Sequence, residues 1–205
     1  MNYDLLMNQE ISSLTEPKTL LLHACCAPCS SVCLKRLGQH FKITILFYNP
    51  NITEEEEYLK RLTEIKRFIK QLKVKYEINI IEAKYDPDTF FNLTKGMENI
   101  PERGSRCYKC YKLRLEETLK IAEENDFDYF TTTLTLSPYK NTNWLNEIGE
   151  DISKSSPVKF LNSDFNKHNG YKESIELSKK YNLYRQNYCG CIYSKRASDI
   201  KKESA

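Results

Sequence analysis

No run in this 205-residue chain approaches the roughly 18 consecutive apolar residues that a bilayer-spanning helix requires, so no membrane role is expected. The opening Met1-Asn2-Tyr3-Asp4-Leu5-Leu6 has neither a basic n-region nor a long apolar h-region. No export signal is read, and the chain is expected in the cytoplasm. Internal repeats, low-complexity tracts and a clear linker are also missing. That leaves a single α/β domain over 1–205, with 1–17 as a polar lead-in and 193–205 as a short basic C-terminal helix or tail. Glycine is scarce, at six residues, and no glycine-rich loop is placed to cradle a pyrophosphate, which disfavours ATP-dependent chemistry. A strong excess of one charge is absent too. The net charge of +3 does not select a nucleic-acid partner, so any such argument must rest on local clustering.

What is present begins with composition. Hydrophobic residues make up 40% of the chain and charged ones 29%, enough for a real core under a polar surface. There are eight cysteines. Without an export signal a reducing compartment is expected, where metal binding or redox chemistry is a better use of thiols than disulfides.

Read in order, strands and helices alternate. Thr19 to Ala24 is a short buried strand, and Pro28 suits the first turn of a helix that runs to Leu37 and ends at Gly38. Lys42 to Tyr48 is a second strand, stopped by Asn49-Pro50-Asn51. Thr53 is expected to cap a helix with Glu54 to Glu57 in its first turn, and Leu59, Leu62, Ile65, Phe68, Ile69 and Leu72 keep a helical period. Tyr76 to Ala83 is a third strand. A helical stretch runs from Asp86 toward Met97, and a long helix from about Cys107 to Asn125. Asp128 to Thr133 is a fourth strand, broken at Leu136-Ser137-Pro138. Asn141 to Ser153 is helical, Val158 to Leu161 is a fifth strand, and Gly170 to Tyr181 is helical. This order predicts an α/β fold: a mostly parallel five-stranded sheet with helices on both faces. Ligands of such sheets sit off the carboxyl ends of the strands. Cys25-Cys26, Asn49-Pro50-Asn51 and the Thr-Leu-Ser-Pro segment would all lie along that edge.

The cysteines fall into three motifs: Cys25-Cys26-Ala27-Pro28-Cys29, Cys107-Tyr108-Lys109-Cys110 and Cys189-Gly190-Cys191. One C-x-x-C is weak evidence; three separated groups in a cytoplasmic chain are strong. The thiols of Cys25, Cys26, Cys29, Cys107, Cys110, Cys189 and Cys191 exceed the four that one structural zinc uses. Iron–sulfur ligation, alone or with a second metal, is favoured over zinc and over metal-free redox thiols. Cys33, a helical turn beyond Cys29, reads as a buried helix cysteine. Arg103, Arg106, Lys109, Lys112 and Arg114 crowd the start of the long helix, either as a solvated face or as a patch for an anionic substrate or RNA backbone. Arg185, Gln186 and Asn187, beside Tyr184 and Tyr188, combine groups able to hold a base edge or sugar hydroxyls. His23 is by default a satisfied core histidine, with a proton donor as the lesser reading. Asn49 and Asn51 either terminate a strand or touch a ligand.

Taken together, His23-Ala24-Cys25-Cys26-Ala27-Pro28, Phe47-Tyr48-Asn49-Pro50-Asn51, Cys107-x-x-Cys110, Thr131 to Leu134 with Ser137-Pro138-x-Lys140-Asn141, and Tyr184 to Cys191 resemble the cobalamin-independent epoxyqueuosine reductase family, from about Lys18 to Ser194. The resemblance implies a sheet similar in layout to the adenine-nucleotide alpha-hydrolase-like fold, and reduction of epoxyqueuosine to queuosine in a tRNA anticodon loop. It implies a [4Fe–4S] cluster and an adjacent mononuclear metal, expected to be iron, held by further cysteines and a carboxylate. Cys29 stands where that pattern has the carboxylate. Which thiols serve which metal stays open. In this reading an external one-electron donor feeds the site. Asn49, Asn51, Arg185, Gln186 and Asn187 hold the base, Arg106 and Lys109 face the phosphates, and Tyr188 and His23 are the candidate proton donors. Two rivals are an iron–sulfur tRNA sulfur transferase and a zinc-stabilised RNA-binding module. The first is disfavoured by the missing Ser-Gly-Gly-x-Asp-Ser loop of thiouridine synthetases and other adenylating enzymes.

Overall fold

The computed structural model describes residues 1–203. Its elements run α1 (Tyr3–Ser13), β1 (Lys18–His23), α2 (Ala27–Leu37), β2 (Phe41–Phe47), α3 (Glu55–Gln71), β3 (Asn79–Glu82), α4 (Pro87–Thr94), α5 (Ser105–Glu124), β4 (Tyr129–Thr132), a 3-10 turn (Thr133–Leu136), α6 (Thr142–Ser153), β5 (Lys159–Phe160), α7 (Gly170–Lys180) and α8 (Ile192–Glu203). The five strands form one sheet in the order β3-β2-β1-β4-β5, and every pairing is parallel. The chain winds outward from β1 in one direction through β2 and β3, then in the other through β4 and β5. The carboxyl ends of β1 and β4 therefore flank a switch point, where such sheets open a crevice.

Alternation along β1 shows how the two layers are held. Leu20 and Leu22 join Val32, Leu37, Leu62, Ile65 and Phe68 on the α2–α3 side, with Leu177 of α7 packed against them. Leu21, between them, joins Tyr111, Leu115 and Leu119 of α5 and Leu145 and Ile148 of α6. Successive side chains on a strand point to opposite faces, and parallel sheets persist when both faces are covered. Truncating one of these fully buried leucines to alanine costs about 2–5 kcal/mol.

Several boundaries differ from the sequence reading. The polar lead-in contains α1, capped by the Asn2 side chain accepting from Leu5 N at 3.2 Å. Its buried apolar side is only Tyr3 and Met7, too narrow a stripe to stand out in a polar segment. Helix α3 is capped at Glu54, not Thr53; Thr53 instead donates its backbone N–H to Gly190 O at 3.2 Å, so it anchors a cysteine loop. The third strand shortens to four residues because it is an edge that pairs with β2 alone. The helix begun at Asp86 ends at Thr94, and the fourth strand gives way at Thr133 to the 3-10 turn. Gly38 does end α2, but at φ −68. What it supplies is room, since a Cβ there would lie 2.6 Å from Leu34 O and 2.7 Å from Val74 Cγ1. The expected C-terminal helix is α8; residues 204–205 lie outside the described ones. Among the described residues no helix is long and apolar enough to cross a membrane.

Candidate metal centre

β1 delivers Cys25 and Cys26 to the first turn of α2, with Cys26 as the N-cap and no side-chain hydrogen bond closing that end. The side chain at the cap is therefore a thiol, in the positive field of a helix N-terminus that favours thiolates. Cys29 follows one turn later, and the three sulfurs of Cys25, Cys26 and Cys29 lie within 4.8 Å of one another. Cys26 and Cys29 both hydrogen-bond Cys25 and, with Arg114 and Arg61 nearby, hold its pKa well below the usual thiol value. The same pairing pushes Cys26 up to about 12 and Cys29 well above the ordinary range. One anion shared among three sulfurs is a donor set suited to a thiophilic cation.

The other four motif cysteines converge from α5 and from the loop before α8. Cys107, Cys110, Cys189 and Cys191 wall one small cavity with Asn51, Phe90 and Lys140. Cys191 hydrogen-bonds Cys189 and, helped by Lys140 and Arg114, lowers its pKa far below the thiol norm, although burial opposes this. Burial pushes Cys110 up to about 11 and also raises Cys107. Gly190 makes the C-x-C turn possible. Its φ is +115, and a Cβ would sit 2.9 Å from Ile52 and 3.3 Å from the Arg61 guanidinium, a conformation L side chains rarely adopt. All eight cysteines are free.

Two buried arginines organise these thiols. Arg114 on α5 is 1% exposed. It donates to His23 Nε2 at 3.2 Å, to Asn49 Oδ1 at 3.0 Å and, more loosely, to Cys110 Sγ at 3.9 Å. Among the described residues it makes no ion pair with a carboxylate. Burial works against its charge, and Cys110, Cys25 and Cys189 are what sustain it. A buried unpaired cation is costly, so this guanidinium is matched to anionic sulfur. Arg61 on α3 is equally buried; it pairs with Glu57 at 2.7 Å and donates to Cys189 O at 3.1 Å and Tyr188 O at 3.3 Å. Helix α3 thereby fixes the cysteine loop, with Glu64 accepting from Tyr184 N at 2.7 Å and Glu57 from Tyr184 Oη at 2.9 Å.

Above the thiols lies a cleft of about 400 Å³, with Cys25, Cys29, Cys189, Arg114 and Lys140 on its walls and Gln186, Asn187, Tyr188, Tyr139 and Tyr171 around it. Cys189 and Lys140 belong to this cleft and to the smaller cavity alike. The two thiol sets therefore adjoin one opening.

Comparison with known proteins bears on what such a site is for. The profile of the family "Epoxyqueuosine reductase QueH" matches residues 20–197. Among proteins carrying that name, one from Streptococcus pyogenes serotype M1 is 39% identical over 98% of this chain and 80% of its own length. One from Staphylococcus epidermidis is 41% identical over 98% and 89%, and one from Thermotoga maritima 33% identical over 86% and 90%. The chain belongs to the epoxyqueuosine reductase QueH family. That places it among the oxidoreductases, and in this QueH chain Cys25, Cys26 and Cys29 form a donor set able to bind a metal.

Within this QueH chain the remaining candidate residues fall in different places. Gln186, Asn187, Tyr188 and Arg185 line the cleft, although Arg185 is tied to α7 through Ser174 and Ser178. Lys109 is exposed on the first turn of α5. Four of the expected site residues are buried. Asn49 is engaged at both ends, donating to Ala24 O at 2.8 Å and accepting from Arg114, so it links β1 to α5. Asn51 is buried against the four-thiol cavity, away from the cleft. Arg106 donates to the carbonyls of Met97, Glu98 and Ile100 and lies under Tyr193, so it is not free for phosphates. His23 is wholly buried, and burial together with Arg114 lowers its pKa to about 3. Its Nε2 lies 3.2 Å from Arg114 Nε and 3.1 Å from Tyr48 O, and its Nδ1 2.9 Å from Thr132 Oγ1. In this setting His23 braces β1 against α5.

Lys140, read from the sequence only as part of the Ser137-Pro138-x-Lys140-Asn141 block, has a place in the site. Its Nζ lies 3.0 Å from Cys189 Sγ, and Cys189 and Tyr111 keep it protonated against the cost of burial. Its place two residues after Pro138, beyond the end of β4, was the available signal. Arg61 had none, since it sits among the Glu and Lys residues of an amphipathic helix.

Proposed function

We propose that this chain is an epoxyqueuosine reductase acting on tRNA. It removes the epoxide oxygen of epoxyqueuosine with two electrons and two protons, giving the alkene of queuosine and water. The observation that carries the reading is that two thiol sets lie at one opening, where the cleft and the smaller cavity share Cys189 and Lys140. In this reading Cys107, Cys110, Cys189 and Cys191 hold a [4Fe–4S] cluster. Cys25, Cys26 and Cys29 hold the adjacent iron, with Cys29 in place of the carboxylate that the resemblance implies. A buried cation without a carboxylate and the clustered thiolates fit such groups. When bound, they supply single electrons, replenished by an external donor, and a Lewis-acidic position. Seven free thiols suit a reducing, cytoplasmic setting.

The chain's own residues do the rest. Arg114 and Lys140 balance the negative charge that accumulates on sulfur during reduction. Gln186, Asn187 and Arg185 hold the edge of the modified base in the cleft, and Tyr139, 62% exposed at its mouth, offers a face for a neighbouring base. An anticodon loop presents that base unpaired, so little melting is needed. Lys109 and Arg103 are exposed and meet phosphates. Lys140 Nζ and Tyr188 Oη hold protons at the cleft wall, for delivery to the departing oxygen.

The test is to incubate anaerobically reconstituted protein and a reductant with tRNA from cells arrested at epoxyqueuosine, then to analyse the nucleosides. Queuosine is expected. None formed by iron-loaded protein would defeat the assignment, and stoichiometric zinc with no iron after reconstitution would favour the zinc-stabilised RNA-binding module.

A further inference from the structure

Asn51 is 1% exposed, yet neither Nδ2 nor Oδ1 of its carboxamide has a hydrogen-bond partner among the described residues. Leaving a buried polar group unpaired is costly, and nearly all such groups are satisfied in folded proteins. The backbone of the turn around it is paired, although Thr53 Oγ1 is also buried without a partner among the described residues. Ile52 N donates to Asn49 O at 3.0 Å and Thr53 N to Gly190 O at 3.2 Å, while the Asn49 amide is satisfied at both ends. The fold thus places two unused N–H donors and one unused acceptor beside Cys107, Cys110, Cys189 and Cys191. Other cations of that wall are already engaged, Arg106 by three backbone carbonyls and Lys140 by Cys189.

We propose that Asn51 donates hydrogen bonds from Nδ2 to the sulfurs of the group held by these four cysteines, and so raises its reduction potential. The inference rests on the proposed reading of the four thiols as a cluster site. Its physical basis is charge. The reduced cluster carries one more negative charge than the oxidised one, a hydrogen bond to an anionic acceptor strengthens with that charge, and hydrogen bonds to sulfur are among the determinants of cluster potential. Asn51 stabilises the reduced state more than the oxidised state. It is a positioning residue, since it acts through the cluster and is walled off from the cleft.

The experiment uses the full-length, anaerobically reconstituted protein and two variants of similar size. Asn51→Leu cannot donate, and Asn51→Asp keeps the shape but offers only acceptors. Both are expected to retain iron and to have a more negative midpoint in an EPR-monitored titration. At a solution potential poised at the wild-type midpoint, Asn51→Leu should hold about tenfold less reduced relative to oxidised cluster, a shift of about 59 mV for a one-electron couple. In D2O, hyperfine spectra of the reduced wild type should show exchangeable deuterons near the cluster that Asn51→Leu lacks. Unchanged midpoints and deuteron couplings in iron-loaded variants would overturn the inference. Loss of iron from both variants would also overturn it, by making Asn51 a structural support of the site. A wild-type chain that takes up no iron would instead defeat the cluster reading itself.

Discussion

The Arg61–Glu57 clamp gives the sharpest energetic test of how the cysteine loop is held. Replacing Arg61 with methionine keeps the aliphatic volume but removes the 2.7 Å ion pair with Glu57 and the donors to Cys189 O and Tyr188 O. Both partners of the pair are at most 10% exposed. Glu57 would keep only the Tyr184 hydroxyl, leaving a buried carboxylate without its cation. Breaking a buried pair in this way costs about 3–5 kcal/mol, whereas removing both charges is far less harmful. The metal-free Arg61→Met chain should therefore lose about 3–5 kcal/mol in urea unfolding, and the Glu57→Gln/Arg61→Met double variant should recover at least about 1 kcal/mol of that. For a chain of this size the single variant should melt about 10 °C lower. Arg61→Met should also weaken iron retention at Cys189 and Cys191. A single variant within about 0.5 kcal/mol of wild type, or a double variant that is the sum of its parts, would refute the clamp.

Other consequences are separable. Cys25→Ala should abolish queuosine formation and release the iron of the three-thiol set while the four-thiol iron remains. Cys33→Ala should leave both intact and cost only about 1 kcal/mol, since Cys33 is packed in the α2–α3 core and donates to Cys29 O; metal analysis and unfolding curves distinguish the two. Gly190→Ala forces an L residue to φ +115 against Ile52 and should destabilise by about 1–3 kcal/mol, with reduced iron uptake read by metal analysis. Asp128 carries a pH signature. Burial opposes its ionisation, but hydrogen bonds from Thr19 N and Oγ1 at 2.8 Å hold its pKa below the usual 3.8. A depressed folded pKa contributes stability above the unfolded value that is lost as pH falls through the folded one. Asp128→Asn should thus flatten the decline of stability below about pH 4, and an unchanged acid limb would contradict this.

The fold was legible wherever a local pattern spoke for itself. Leu20 to Leu22 run into Cys25-Cys26, and Phe47-Tyr48 into Asn49-Pro50-Asn51. Strands alternating with helices then imply a parallel sheet whose loops meet at one edge. Helix α1 was missed because two buried side chains make no stripe, and Thr53 because its N–H serves the Cys189 loop, which is far away in sequence. In the site, the three cysteine motifs could be read from spacing. Their partition could not, because Cys107 and Cys110 meet Cys189 and Cys191 only after α5 and the pre-α8 loop have packed.

Sequence alone determined that seven cysteines fall into three groups near the ends of strands and helices, since spacing and strand order suffice for that. Tertiary structure decided which charges stay in water. Arg61, Arg106 and Arg114 look like surface cations in the sequence, yet packing buries all three. A guanidinium taken out of water must find either a carboxylate, carbonyls or anionic sulfur. Which of these each arginine finds, and the placing of the orphan amide of Asn51 beside four thiols, depends on contacts between residues distant in sequence, which no local pattern encodes.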